Sequence, residues 1–325
     1  MITRRCFVAA CAASFAAPLV AKAQPTEKVY RIGFLGGASP SGYAGLVDAL
    51  RLGLREHGYV AGKNITIEFR WAEGQYGRLR ALAAELVRLQ CHVIITQGIP
   101  AALAAKQTTA TIPIVMAIAG DPVQAGVVAS LARPGRNVTG SAFFIGELNA
   151  KRLELMKTVI PGLQRAGVLL NPDNAMMTTI VRTMEETARA LNVKLQTVNA
   201  RGLAELDAAL ALAKKETEAL VVPDEGLFIA NARHIADLAM RSRLPSIGFR
   251  EYCESGGLLA YGVDFPQIWR QSAVFVDRIL KGTKPAELPI QQATRFELII
   301  NLKTANGIGL SIPTLMRLRA DQVIE

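Results

Sequence analysis

Histidine is nearly absent from this chain, with three in 325 residues. His57 falls at the end of a helix-period segment, His92 at the start of a strand-like run, and His234 inside a helix-period segment. None stands at a strand's carboxyl end, where a general base of an α/β enzyme would work. Cysteine is scarce as well, with four in the chain. Cys6 and Cys11 lie near the amino terminus, while Cys91 and Cys253 fall at unrelated places in the strand–helix series. That distribution excludes a disulfide scaffold and a cysteine zinc site. It leaves one Cys91–Cys253 bond or two buried free thiols, with the thiols favoured. Aromatic residues make up only 6%, and no block of like charge stands out. The formal net charge of +10 therefore reads as a solvated cationic surface rather than a nucleic-acid footprint. No G-x-S-x-G elbow and no G-x-x-x-x-G-K-[ST] loop occur. The expectation is a chain with no catalytic residues, no metal and no cofactor.

Long apolar runs are missing too. The charge-free stretch Cys6–Val20 is shorter than the roughly 20 residues a bilayer span needs. Arg4 and Arg5 precede it and Ala21-Lys22-Ala23 follows it, which is the three-part pattern of an export signal. Residues 1–23 are read as that signal, with cleavage near Ala23-Gln24 and a periplasmic destination. Thr3–Val8 is similar to a twin-arginine signal, although paired arginines also occur in ordinary secretory signals. A lipoprotein box at Val8–Cys11 is the lesser alternative.

What remains is half hydrophobic and strongly patterned. Apolar runs of strand length, at Val29–Leu35, Ile65–Trp71, Val93–Thr96, Ile114–Ile118 and Val138–Phe144, alternate with helix-period segments. One such segment is Val123–Leu131. The series then restarts at Ala166–Leu170 and runs through Val193–Val198, Ala219–Val222, Ser246–Phe249 and Leu258–Gly262. Continuous apolar strands alternating with helices specify parallel sheets covered on both faces. The expected class is α/β, with two lobes built on parallel sheets and joined by a hinge. Lobe 1 comprises 29–144 plus about 266–285, and lobe 2 comprises 145–265 plus about 286–325.

In open parallel sheets the ligand crevice lies beyond the carboxyl ends of the strands. Small and polar residues gather at those ends here: Gly36–Ser39, Gln97-Gly98, Gly120-Asp121-Pro122, Asn171–Asn174, Pro223–Gly226, Arg250-Glu251 and Tyr261–Asp264. The opening loop "RIGFLGGAS" is spaced G-x-x-G-G rather than G-x-G-x-x-G, which argues against a dinucleotide cradle. The candidate ligand-binding residues are Gly36, Ser39, Gln97, Asp121, Asn171, Asp224 and Tyr261. Lobe 1 would supply amide and hydroxyl contacts, and Asp224 a carboxylate for a ligand cation. Each acidic candidate has a plainer role beside this one. Asp121 precedes Val123–Leu131 as a helix cap, and Asp224 sits where a turn or cap would also want it.

The stretches "GLREHGYVAGKNITIEFRWAEG", "IPIVMAIAGDPVQAGVVASLARPGRNVTG", "GGLLAYGVD" and "VDRILKGTKPAELPIQQATRFELIINLKTANGIGLSIP" carry a resemblance. The chain resembles the extracytoplasmic substrate-binding proteins of ABC transporters, in the family that includes tryptophan- and tyrosine-type binding proteins. That resemblance implies a type I periplasmic-binding-protein fold, with two Rossmann-like lobes, three hinge crossings and a ligand between them. It implies a small-molecule ligand, an ABC permease in the membrane as partner, and a monomeric receptor. The segment "VPDEGLF" differs from the longer polar cluster of the amino-acid binders, so pocket positions carry over and a ligand does not. Two other functions share the architecture: a receptor that reports to a membrane signalling protein, and a two-lobed transferase.

Overall fold

The computed structural model describes residues 28–325, so the expected export signal and its two cysteines lie outside it. In chain order, lobe 1 opens with β1 (Tyr30–Gly36), α1 (Ala44–Glu56), β2 (Ile65–Trp71), α2 (Leu79–Arg88), β3 (Val93–Gln97), α3 (Gly98–Thr108), β4 (Ile114–Ala119) and β5 (Val138–Ala142). The chain crosses into lobe 2 with α4 (Ile145–Val159), β6 (Arg165–Leu170), α5 (Met176–Ala190), β7 (Lys194–Asn199), α6 (Leu203–Glu216) and β8 (Ala219–Val221). There follow α7 (Gly226–Ala230), α8 (Ala232–Arg241), β9 (Ser246–Gly248), α9 (Arg250–Glu254) and β10 (Leu259–Gly262). It returns to lobe 1 with α10 (Phe265–Leu280) and β11 (Gln291–Gln292). It ends in lobe 2 with β12 (Glu297–Asn301), α11 (Leu302–Ile308), α12 (Thr314–Arg319) and β13 (Gln322–Ile324).

The two sheets have the orders β11-β5-β4-β3-β1-β2 and β13-β12-β10-β9-β8-β6-β7. Pairing is parallel throughout, except that β12 runs antiparallel to β10. Strands β3 and β4 are buried along their whole length, which is why they read as unbroken apolar runs rather than as alternating ones. Helix α1 turns Leu46, Val47, Leu50 and Leu54 inward. It packs on α10, and the contact is close: a Cβ at Gly53 would stand 2.1 Å from the Arg270 carbonyl oxygen. Asp264 starts α10 by accepting the Gln267 N–H at 2.9 Å, with Pro266 in the first turn. Trp269 of α10, Phe34 of β1 and Tyr43 then form one buried ring cluster.

The structure corrects two expectations of organisation. Val123–Leu131 is a series of turns, not a helix. Gly126 takes φ +69° there, and the Asp121 carboxylate accepts the Val123 and Gln124 N–H groups at 3.1 and 3.0 Å, closing a turn that does not propagate. The lobe boundary near 285 moves as well. Gln291 and Gln292 pair with Ser141 and Ala142 of β5, so lobe 1 keeps the chain through β11.

Candidate functional site

The carboxyl ends of β1, β3 and β4 face those of β6 and β8 across a narrow crevice. Gly37, Gln97, Gly98 and Gly120 line it from lobe 1, and Asn174, Glu225 and Gly226 from lobe 2, around a free space of about 30 Å³. Polar groups of the lobes meet across it. The Tyr76 hydroxyl donates to Glu225 Oε1, and the Tyr43 hydroxyl donates to the Gly226 carbonyl at 3.4 Å. Both tyrosines stand on short 3-10 turns that follow lobe 1 strands, at Tyr76–Arg78 and Ser41–Tyr43. At the edge of the crevice a Cβ on Gly42 would lie 2.4 Å from the Ala230 Cα, so any side chain there would hold the lobes apart.

Lobe 2 carries the charge. Arg152 of α4 is fully buried and forms a fork with Asp224, Nη1 to Oδ2 at 2.6 Å and Nη2 to Oδ1 at 3.0 Å. Its Nε donates to the Tyr261 carbonyl at 2.8 Å, and Nη1 reaches the Val222 carbonyl at 3.2 Å and Asn149 Oδ1 at 3.0 Å. Bidentate geometry and satisfied donors are what make a buried ion pair tolerable. Glu225 caps α7, its Oε2 accepting the Leu227 N–H at 2.7 Å. Its Oε1 accepts from Asn171 Nδ2 at 3.3 Å and Asn174 Nδ2 at 3.5 Å, besides Tyr76. Burial raises the Glu225 carboxyl, and these hydrogen bonds oppose the rise. Burial first, and the Glu225 charge next, hold the Tyr43 and Tyr76 hydroxyls well above the ordinary tyrosine value, so both stay neutral donors. Glu251, in the first turn of α9, is different. Both its oxygens are buried and no other residue donates to them. Burial pushes its carboxyl up to about 8, its own backbone N–H opposes the rise, and Glu254 and Asp224 add to it. Among the described residues no group of three or more His, Cys, Asp or Glu could hold a metal ion.

Of the residues singled out from sequence, Gln97 lines the crevice and accepts the Gly37 N–H at 3.4 Å. Asn171 reaches its lobe 2 wall through Glu225. Asp224 lines it too, and Arg152 takes both its oxygens, so its charge is matched within the protein. Gly36 lies beneath the Trp71 ring, where a Cβ would come within 2.3 Å of it, and its neighbour Gly37 forms the wall instead. Ser39 sits in a flanking crevice with Glu73 and Arg201, its hydroxyl 3.4 Å from that of Ser41. Asp121 caps its turn beside Gly120. Tyr261 contributes its carbonyl to Arg152, while its ring stacks on Phe296 at 5.9 Å.

Sequence reasoning missed Tyr43, Tyr76, Arg152, Glu225 and Glu251 as individual residues. The signal for Arg152 was present. Ile145, Leu148, Leu153 and Met156 form an apolar stripe on α4, and Asn149 and Arg152 lie on that buried face. A polar pair on a buried stripe needs partners, and Asp224 is the partner.

Comparison with known proteins fits this geometry. The family model for ABC transporter substrate binding proteins matches residues 38–324. A tyrosine-binding protein of Clostridioides difficile is 27% identical over 271 residues, covering 83% of this chain and 76% of that protein. A solved structure of a conserved domain protein from Vibrio cholerae superposes with a TM-score of 0.84 at 28% identity, covering 91% of this chain and 100% of that one. An ABC domain in complex with L-Trp from Streptococcus pneumoniae gives 0.81 at 25% identity, covering 90% and 100%. With two parallel-dominated lobes, a polar crevice between them and a family match over most of its length, this chain belongs to the ABC transporter substrate binding proteins.

Proposed function

We propose that the protein is the extracytoplasmic receptor of an ABC importer and takes an amino acid, or a small solute of similar polarity, into the crevice. The observation that carries this reading is the direct meeting of polar groups across the lobes, Tyr76 with Glu225 and Tyr43 with the Gly226 carbonyl. A solute seated there exchanges those contacts for its own to both walls. It thereby favours the closed form by its differential affinity for closed over open. Lobe 1 offers main-chain groups at Gly37 and at the start of α3, where Gly98 and Ile99 open the helix, a setting that suits a carboxylate. Ile99, Pro100, Ile145 and Met176 add apolar wall for the rest of the solute. The names of two relatives, one tyrosine-binding and one bound to L-Trp, support the amino-acid class. The closed form is the one presented to the permease, and residues 1–23 direct export to the periplasm.

A thermal-shift screen of the twenty L-amino acids, with nucleosides, sugars and small acids, tests this reading. A ligand at a hundredfold its Kd adds about 2.7 kcal/mol to stability by mass action, so at least one amino acid should raise Tm clearly. A shift produced only by a sugar or nucleoside, or by nothing in the panel, would overturn the amino-acid reading. Substrate-dependent ATP hydrolysis by the reconstituted permease then separates import from sensing.

A further inference from the structure

A cavity of about 200 Å³ lies at the hinge and shares none of its wall with the crevice. It sits where the chain passes between the lobes, at Asp264 before α10 and at 293–296 between β11 and β12. It continues into a second space of about 210 Å³ on lobe 1, and Ile268, Gln271, Gln292 and Ala293 wall both. Ile268 and Ala293 are the apolar members of these walls. Four of the polar members are glutamines, Gln267 and Gln271 on α10 and Gln291 and Gln292 on β11. Strand β11 spends its backbone on pairing with β5 and leaves its side chains exposed. None of the four side-chain amides hydrogen-bonds to another described residue, so each keeps two N–H donors and a carbonyl acceptor for something else. The charges at the cavity, by contrast, are already matched. Arg250 Nη1 binds Glu297 Oε2 at 2.6 Å and stands 3.8 Å from Asp264 Oδ2, and Arg295 Nη2 meets Glu297 Oε1 at 3.2 Å. A charged occupant would have to break into these pairs, and an apolar one would take water from the amides and return nothing. A molecule rich in hydroxyls does neither. Each hydroxyl donates and accepts, and two neighbouring hydroxyls match the two-pronged edge of an amide, a carboxylate or a guanidinium.

We infer that the hinge cavity is a second binding site, that its ligand is a neutral polyhydroxy molecule of monosaccharide size, and that this ligand favours the conformation with the lobes together. The coupling follows from the ownership of the walls. Gln267 and Gln271 move with lobe 1, Glu297 with lobe 2, and Thr294 and Arg295 belong to the crossing between them. Opening the hinge shifts these walls against one another, so a molecule that fits them as they stand has unequal affinity for the two forms. The coupling rests on the receptor reading above and deepens it. A polyol at the hinge and a solute in the crevice then raise each other's affinity by the same factor.

Saturation-transfer NMR and calorimetry with D-glucose, D-galactose, N-acetyl-D-glucosamine and myo-inositol test the site, at concentrations too low for the general stabilisation that excluded sugars give. At least one of these should bind the wild type. Gln271 and Gln292 are exposed, so the double change Gln271→Leu with Gln292→Leu removes two amide partners without touching the core. It should lower the affinity for that polyol at least about tenfold. Gln271→Ala alone should give a smaller loss of the same kind, and it serves if the double variant does not fold. The coupling is read with the amino acid found by the thermal-shift screen. Saturating polyol should tighten its binding at least twofold in the wild type and leave it unchanged in the double variant. No polyol bound by the wild type, or polyol affinity in the double variant within twofold of wild type, overturns the site. Polyol binding that is lost in the variant but never alters amino-acid affinity overturns the coupling. If no amino acid binds, the receptor reading fails by itself, and the direct polyol titrations still decide the hinge site.

Discussion

The two walls of the crevice differ in kind. Lobe 1 presents neutral groups: the backbone at Gly37 and Gly98, the Gln97 amide, and two phenols that burial keeps protonated. Lobe 2 presents the carboxyl groups of Asp224 and Glu225, with Arg152 buried behind Asp224. The division has a physical logic. The Arg152–Asp224 pair and the bonds to Glu225 from Asn171, Asn174 and Leu227 lie entirely within lobe 2, so they persist when the lobes separate. Separation of the lobes, as proposed, would then exchange only the Tyr76 and Tyr43 hydroxyl bonds and break no ion pair. A hinge that had to break a buried ion pair at every cycle would stay shut.

The largest test of this division is Arg152→Met. It strands Asp224 as a buried, unpaired carboxylate and should destabilise the protein by about 3 to 5 kcal/mol, read from the urea midpoint. The double change Arg152→Met with Asp224→Leu should recover much of that loss. A single variant as stable as wild type would remove the ion pair from the account.

Glu251 gives the next effect, and it depends on pH. Below its ordinary value of 4.5 the group is protonated in folded and unfolded chains alike, so it contributes nothing. Between 4.5 and about 8 the unfolded chain releases the proton while the folded protein holds it, so stability falls as pH rises through that window. Without solute, wild type should lose stability more steeply than Glu251→Gln between pH 5 and pH 8. Parallel urea-midpoint profiles would contradict the burial of an unmatched carboxyl.

Glu225→Gln should cost about 1 to 3 kcal/mol, because an amide nitrogen replaces one of the two oxygens that accept from Leu227, Asn171, Asn174 and Tyr76. Tyr76→Phe removes one contact across the lobes and should cost about 1 kcal/mol of closure, a roughly fivefold shift toward the open form, with folding stability almost unchanged. Small-angle scattering of the solute-free protein reads that shift. The smallest effect belongs to the outer face of lobe 1, where Arg51 and Asp48 pair at 3.1 Å while largely exposed. Arg51→Ala should leave stability within about 0.5 kcal/mol and solute affinity untouched.

The lobes were legible in the sequence because strands buried on both faces, such as Val93–Gln97, leave unbroken apolar runs. The short edge strands were not. Gln291-Gln292 is exposed and has no pattern, and only its pairing with β5 makes it a strand. Val123–Leu131 has helical spacing, but the Asp121 turn and the backbone at Gly126 override it. In the site, position was readable and role was not. Rules for strand ends placed Gln97, Asn171 and Asp224 near the crevice. They could not show that Asp224 is matched by an arginine 72 residues earlier in the chain while Glu251 is matched by nothing. Side-chain partnership across long separations is a property of packing, and a single sequence does not carry it.

If the protein is the receptor proposed above, solute binding and lobe closure are one event. An inter-lobe distance measured by paired spin labels tests it most directly. Cysteines introduced at Gln124 of lobe 1 and Thr178 of α5 suit this, because the native thiols Cys91 and Cys253 are buried and raised to about 11 and about 12. A saturating amino acid found by the thermal-shift screen should collect the distances into one short population, and Glu225→Gln should move the solute-free protein toward long ones. Distance distributions unchanged by both the amino acid and the substitution would contradict the account.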